Sequence, residues 1–178
     1  MNPQFLKRPH PSIEAFLRDY VRHNKTIAYT PDHPHFFLDG GDDAYIGLQE
    51  FLQQYTNEDS PCFILDTRIH LVPLPDNPKV FVRQWHIYIA VLADDQHNDA
   101  SKKIARDEIM LQWWYFYNYY LEVMRSNANN FRHILHGTSM SYQIDSTTTF
   151  LNGWEAIRIT LTQPLQLPCV PLDNYLSM

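Results

Sequence analysis

The order of its secondary-structure signals constrains the fold of this chain more than any other sequence feature. Phe63 to Val72 and Val80 to Leu92 alternate between apolar and mixed positions, which predicts two β-strands. An aromatic-rich helix is predicted to run from Ser101, its N-cap, to about Arg125. Two more strands are predicted from Thr138 to Asp145 and from Trp154 to Thr162.

The N-terminal third contains shorter amphipathic segments. Apolar residues at helical spacing predict one helix from Pro11 to about Asn24 and another from Asp42 to about Tyr55. Between them, Thr26 to Gly41 is predicted to be a loop or an irregular edge strand. These patterns together predict an α+β fold. In this fold a mixed, mainly antiparallel sheet of about four to five strands packs against one long helix and two shorter N-terminal helices.

The chain is predicted to form a single domain over residues 1–178. A chain of 178 residues can bury roughly two-thirds to 70% of its unfolded surface. Residues 1–10 are predicted to be an N-terminal arm, and the proline-rich residues 164–178 an extended C-terminal tail. Prolines within 73–78 are predicted to prevent regular pairing between the first two strands and to form a stiff, exposed connection.

The long helix has more apolar and aromatic positions than one buried stripe requires. A helix that is apolar nearly all round is normally buried on more than one side. Tyr and Trp rings are also enriched in protein interfaces. The predicted core stripe is Ile104, Met110, Trp113, Tyr117, Leu121 and Met124. The further rings are Trp114, Tyr115, Phe116, Tyr119 and Tyr120.

Four aromatic residues are therefore candidates for a subunit interface. Some of the rings among Trp114, Tyr115 and Tyr119 are expected to be buried only in an assembly. Trp154 follows a turn signal at Asn152-Gly153 and is expected to pack at the end of the sheet, against the long helix or a neighbouring subunit. The alternative is that these rings fill a purely internal core.

Charge is sparse and uneven along the chain. Charged residues make up 19%, below the usual ~25%, and the net charge is −6, so the whole chain does not fit a nucleic-acid clamp. Thr26 to Asp66 contains eight acidic residues and no Lys or Arg, whereas the N-terminal end is basic. This acidic stretch is either an ordinary solvated surface or a patch that meets the basic end of a neighbouring subunit and steers assembly.

The sequence contains no signature of a catalytic or cofactor site. It has no G-x-S-x-G elbow, and none of its five glycines forms a phosphate-cradling glycine-rich motif. Cys62 and Cys169 have no activating sequence context and are interpreted as free thiols in a reducing compartment. The Asp32–Asp43 segment is interpreted as a polar loop, and His70 and His86 as ordinary sheet residues.

We therefore expect no enzyme activity, no catalytic residue, no metal ligand and no cofactor. Two alternatives remain open: a metal- or thiol-dependent small enzyme, and a soluble adaptor that binds one viral or host protein. The sequence lacks a signal peptide and an apolar run of about 20 residues, so no membrane association is expected and the chain is expected to be cytoplasmic when made.

The C-terminal third resembles a family of bacteriophage structural proteins. Its run Tyr142-Gln143-Ile144-Asp145, then Asn152-Gly153-Trp154 leading Ile157-Arg158-Ile159-Thr160-Leu161, is followed by Leu167-Pro168-Cys169. This pattern is similar to the closing strands of tail terminator and head–tail neck-ring proteins of Bacteroidetes-type phages. The order of elements over roughly Pro11 to Cys169 resembles the same family.

The resemblance implies a structural virion protein that assembles in the host cytoplasm. The chain would form a homo-oligomeric ring at the head–tail junction and contact neighbouring neck, connector or tail-tube proteins. DNA would pass through the lumen without specific binding, which suits a negatively charged subunit because it repels the phosphate backbone. The family has no catalytic residues or cofactors to carry over.

Overall fold

A mixed β-sheet with helices against one face forms the framework of the protein. The computed structural model describes residues 11–27, 29–39, 57–68, 70–74, 76–95, 97–126, 131–135, 137–143 and 153–164. The predicted α+β class is confirmed. The second N-terminal helix predicted from Asp42, the N-terminal arm and nearly all of the C-terminal tail lie outside the described residues.

Nine regular helices and strands lie in the described part of the chain. In chain order they are α1 (Pro11–His23), β1 (Phe36–Asp39), β2 (Cys62–Asp66), β3 (His70–Leu74), β4 (Asn77–Leu92), α2 (Asp99–Arg125), α3 (Arg132–Leu135), β5 (Ser139–Gln143) and β6 (Trp154–Pro164). A 3-10 helix of one turn, Asn57–Asp59, precedes β2. The α3 helix is one turn long.

The sheet has six strands instead of the predicted four to five. Its order is β1-β2-β4-β6-β5, and β3 pairs with β4 beyond the end of β2. Only β1 and β2 are parallel among the described pairs, with Phe36 opposite Phe63. The extra strand arises because the stretch predicted as one strand is divided at Thr67 and Arg68, where the pairing to β4 shifts.

The proline-rich segment is a paired hairpin rather than an unpaired connection. Pro73 lies opposite Phe81, and Leu74 opposite Asn77, with an irregularity between Pro73 and Leu74. Among the described strands β3 pairs only with β4, so the second edge of β3 requires no backbone donors. A proline can occupy such an edge strand, which is why the expected loss of pairing is wrong.

The long helix α2 begins two residues before its predicted N-cap. The side chain of Asn98 accepts a hydrogen bond from the backbone N–H of Ala100 at 2.9 Å, which makes Asn98 the N-cap. Ser101 lies inside the first turn, and its Oγ accepts a hydrogen bond from the backbone N–H of Asp95 at 3.0 Å. Both residues are good capping types, and the loop geometry selects the earlier one.

The buried side of α2 differs from the predicted stripe. Ile104 was expected in the core but is exposed, and Met110 lies at the border. The helix is aromatic or apolar around most of its circumference, so the spacing of apolar residues does not define which side faces the sheet. The buried residues are Ala105, Ile109, Gln112, Trp113, Phe116, Tyr120 and Val123.

Two hydrophobic clusters lie on opposite faces of the sheet. The larger, the helix-face cluster, joins the apolar sides of α1 and α2 to alternate residues of β2, β4 and β6, such as Phe63, Ile87 and Ile159. The second-face cluster contains Cys62, Ile64, Ala90, Trp154 and Ala156. The sheet is therefore apolar on both faces over part of its area.

Candidate functional site

An apolar strip runs along the solvent side of α2. Its members, here called the outer strip, are spaced so that they lie on the side of the helix away from the sheet. Their exposed fractions are 69% for Ile104, 42% for Leu111, 58% for Trp114 and 38% for Tyr115. Trp114 and Tyr115, two of the four predicted interface residues, are thus accessible on the single chain.

Tyr119, the third candidate, belongs to the contact between α1 and α2. Its ring stacks on Phe16 with centroids 5.5 Å apart, and its hydroxyl donates a hydrogen bond to Asp19 Oδ2 at 2.6 Å. Burial raises the pKa of the Tyr119 hydroxyl, and the bond to Asp19 adds to this shift. A charged replacement here would therefore disturb the fold of the single chain.

Trp154, the fourth candidate, is a core residue of the single chain. It is 1% exposed, and it lies in the second-face cluster, opposite Leu92 of β4. Of the two partners expected for Trp154, the long helix is wrong, because residues alternate along β6 and Trp154 lies on the face away from α2. In this conformation its ring offers a neighbouring chain almost no surface.

A shallow pocket lies beside the outer strip, between the C-terminal end of α1 and the middle of α2. Its volume is about 380 Å³. Tyr115 belongs to both the outer strip and the pocket wall. The lining residues are Tyr20, His23, Asn24, Lys25, Thr26, Tyr115, Asn118, Tyr119 and Glu122.

Partly buried hydrogen bonds join the end of α1 to α2 beside this pocket. The Asn24 side-chain amide donates to Gln112 Oε1 at 3.0 Å, and Gln112 Nε2 donates to Thr26 Oγ1 at 3.0 Å. Gln112 is fully buried and also donates to Glu108 Oε1 at 2.8 Å. These bonds fix the end of α1 against α2, so the pocket is a preformed surface feature.

A charged cluster, here called the polar sheet cluster, lies on the face of the sheet away from α2. It consists of Asp39, Asp66, Arg68, His70 and His86. Asp66 Oδ1 accepts hydrogen bonds from the backbone N–H of Arg68 at 2.9 Å and from Arg68 Nε at 2.7 Å. Arg68 Nη2 donates to Asp66 Oδ2 at 2.7 Å, so the ion pair is bidentate.

The pairing shift between β2 and β3, here called the bulge, places Arg68 beside Asp66. In the parallel pairing of β1 and β2, Asp39 and Asp66 lie side by side, and both are buried. Arg68 is located in the bulge, and its guanidinium is 2.7 Å from Asp66 and 3.7 Å from Asp39. Burial acts to raise the pKa of Asp66, but the hydrogen bonds from Arg68 and His70 lower it below its ordinary value.

Two histidines complete the polar sheet cluster. His70 Nε2 lies 3.0 Å from Asp66 Oδ2, and His86 Nδ1 lies 4.0 Å from the same oxygen. The two rings are stacked with centroids 4.1 Å apart. Burial lowers the pKa of His86 to about 4, and repulsion from His70 contributes to this. His86 is therefore neutral near pH 7.

The polar sheet cluster could hold a metal ion. Among the described residues, Asp66, His70 and His86 form a group whose ligand atoms all lie within 4.8 Å of one another. From the sequence, His70 and His86 are interpreted as ordinary sheet residues, and the sequence does not predict that they lie beside Asp66. The register of β3 against β4 follows the pairing shift between β2 and β3, which no local sequence pattern indicates. The only available signal is that Asp66 and His70 are four residues apart.

The acidic stretch is not a simple solvated surface. Asp39, Asp59 and Asp66 are all buried. Asp59 Oδ1 lies 3.1 Å from His33 Nδ1, and the carbonyls of Asp59 and Pro61 lie 3.1 and 2.9 Å from His35 Nδ1. His33 and His35 thus tie the loop before β1 to the turn before β2.

Cys62 is not placed for nucleophilic chemistry. Its thiol is fully buried in the second-face cluster, and burial raises its pKa. A thiol in such surroundings stays protonated at neutral pH and is a poor nucleophile. Cys169 lies outside the described residues.

Comparison with known proteins identifies no family for this chain. No protein-family model matches the sequence, and no curated protein matches it significantly. None of the helices in the described part of the chain combines the length and the apolar character of a membrane span.

Proposed function

We propose that this protein is a structural virion subunit that self-associates into a ring at the head–tail junction of a bacteriophage. The observation that carries the proposal is the outer strip of α2. Its four apolar side chains are all at least 38% exposed on a helix whose opposite side forms the core. Ile, Leu, Trp and Tyr side chains in such a row favour burial by a partner surface.

The pocket beside the outer strip supports a head-to-tail contact between copies. The strip is apolar and exposed, whereas the pocket is concave and is lined partly by polar groups, such as Asn24 and Glu122. An interface between two different surface patches of identical chains is heterologous, and it closes into a ring when the rotation per subunit divides a full turn. The two patches adjoin at Tyr115.

The resemblance of the C-terminal third to tail terminator and neck-ring proteins supports the location in the phage. A net charge of −6 suits a ring through which DNA passes, because an acidic lumen does not retain the phosphate backbone. Neighbouring neck, connector or tail-tube proteins would contact the upper and lower faces of this ring. The role is structural, and it requires no catalytic residue or cofactor.

Charged substitutions in the outer strip test this proposal. We expect Trp114→Glu and Tyr115→Glu to abolish ring formation, because each would bury a carboxylate in an apolar interface. Since both side chains are exposed on the single chain, the monomer should keep its fold and its circular dichroism spectrum. Native mass spectrometry and negative-stain imaging of the purified chain report the assembly state.

Phe81→Glu is the matched control. Phe81 is an exposed aromatic residue of β4, outside the outer strip. Rings that persist in this variant would show that the loss is specific to α2. A wild-type chain that stays monomeric at high concentration, or rings that tolerate both Trp114→Glu and Tyr115→Glu, would refute the proposed interface.

A further inference from the structure

We propose that Asp66, His70 and His86 bind a divalent metal ion of the zinc class on the face of the sheet away from α2. The three residues come from β2, β3 and β4, and their ligand atoms lie within 4.8 Å of one another. The ligands of a tetrahedral zinc ion are about 3.4 Å apart, given Zn–N and Zn–O distances of roughly 2.1 Å. The two imidazole rings are stacked, so side-chain rotations that turn their ligand nitrogens toward one point are needed to form the site.

The donor set defines the class of ion. Two imidazoles and one carboxylate suit borderline divalent metals such as Zn²⁺ and Co²⁺, whereas Mg²⁺ and Ca²⁺ prefer oxygen ligands. His70 Nε2 and His86 Nδ1 are the nitrogens nearest to Asp66 Oδ2, at 3.0 and 4.0 Å. Asp66 Oδ2 is thus the carboxylate oxygen placed to be the third ligand.

The surroundings orient the carboxylate but also limit the affinity. Asp66 Oδ1 is held by the backbone N–H and Nε of Arg68, as outer hydrogen bonds commonly hold metal-binding carboxylates. Arg68 Nη2 also donates to Asp66 Oδ2 at 2.7 Å, so an ion must compete with the guanidinium for this oxygen. The guanidinium repels a cation, and Asp39, whose Oδ2 is 3.7 Å from Arg68 Nη2, offsets part of this charge. Arg68 therefore sets how tightly the ion is bound.

Solvent can reach the site from the side of the histidines. The side chains of His70 and His86 are 28% and 15% exposed, whereas that of Asp66 is 1% exposed. Because the site is partly open to solvent and has three protein ligands, water or an external ligand can occupy the fourth coordination position of the ion. The ion would join three strands across the bulge, on the face opposite the outer strip.

Cobalt binding to the full chain tests the site. We expect one equivalent of Co²⁺ to give visible d–d absorption of tetrahedral type, and Zn²⁺ to displace it. His70→Gln and His86→Gln should each weaken binding at least about tenfold, because each removes a ligand. His97→Gln, in the exposed loop before α2, is the control and should bind as the wild type does.

Side-chain NMR of the wild type tests the metal ligands without relying on the Gln variants, so the result does not depend on whether those variants fold. Zinc should shift the imidazole signals of His70 and His86 and leave those of His97 in place. No saturable binding by the wild type, or binding that both Gln variants retain, would overturn the inference. Ring formation is measured separately, so a failure here leaves the proposed function untouched.

Discussion

Single side chains hold the irregular segments of this protein in position. His33 illustrates this: its Nδ1 lies 3.1 Å from Asp59 Oδ1 and its Nε2 lies 3.2 Å from Glu58 Oε2. The hydrogen bond with Asp59 raises the pKa of His33 above its ordinary value, and nearby acidic residues add to this. The loop before β1 is thereby linked to the turn that leads into β2.

The raised pKa of His33 predicts a pH dependence of known sign. A group whose pKa is higher in the folded than in the unfolded state stabilises the fold while it is protonated. This contribution is complete below the ordinary histidine pKa of about 6.5 and is lost as pH rises through the folded value. NMR titration should place the pKa of His33 above the ordinary value.

Two substitutions identify the source of this shift. Asp59→Asn should lower the pKa of His33 most, because it removes the carboxylate that accepts the hydrogen bond. Asp32→Asn should change it less, since Asp32 acts only through its charge. A wild-type pKa at or below the ordinary histidine value would show that the contact with Asp59 does not form in solution.

At the scale of the elements, one strand contributes side chains to both faces of the sheet. Strand β6 places Ile157, Ile159 and Leu161 in the helix-face cluster, and Trp154 and Ala156 in the second-face cluster. It begins after Gly153, whose φ of 86° is in the left-handed region and whose carbonyl accepts a hydrogen bond from the N–H of Ala93 at 2.9 Å. This hydrogen bond and the pairing of Trp154 with Leu92 set the register of β6 on β4, and the register fixes the face to which Trp154 points.

Two tryptophan truncations on different elements should have very different costs. Trp154→Ala should lower the free energy of unfolding of the isolated subunit by about 3–5 kcal/mol, because it leaves a cavity in the second-face cluster. Trp114→Ala should change it by less than about 0.5 kcal/mol, because Trp114 is exposed on α2. Urea denaturation monitored by circular dichroism measures both values. A loss below about 1 kcal/mol for Trp154→Ala would contradict its assignment to the core.

At the scale of the whole molecule, one sheet separates two hydrophobic clusters. Ile64 points to the second face, whereas its neighbours Phe63 and Leu65 point to the helices, and all three are fully buried. Because β2, β4 and β6 contribute to both clusters, we expect the two faces to unfold together as a single cooperative unit.

Conservative truncations on the two faces test this cooperativity. Ile64→Val and Ile109→Val should each cost about 1 kcal/mol, and their effects should add within about 0.5 kcal/mol in the double variant. Each should shift the same midpoint, whether unfolding is followed by far-UV circular dichroism or by tryptophan fluorescence. Two separate transitions, each sensitive to only one of the substitutions, would show that the faces are independent.

The sequence by itself determined the class of fold and the existence of most described elements. The α1 helix was expected from Pro11 to about Asn24 and is observed as Pro11–His23. Strands β5 and β6 lie close to their predicted ranges. The segment that contains β1 is predicted to be either a loop or an irregular edge strand, and β1 is an edge strand. These features follow from local periodicity, because a helix or strand with one buried face must repeat its apolar residues at a fixed spacing.

Only the tertiary structure decided the faces and the registers. The sequence could not show which side of α2 is buried, because apolar and aromatic residues surround most of that helix. It also did not show the bulge at Arg68, the face to which Trp154 points or the meeting of Asp66 with His70 and His86. Each of these depends on contacts between residues distant along the chain, and a shift of one residue in strand pairing would turn every side chain to the opposite face.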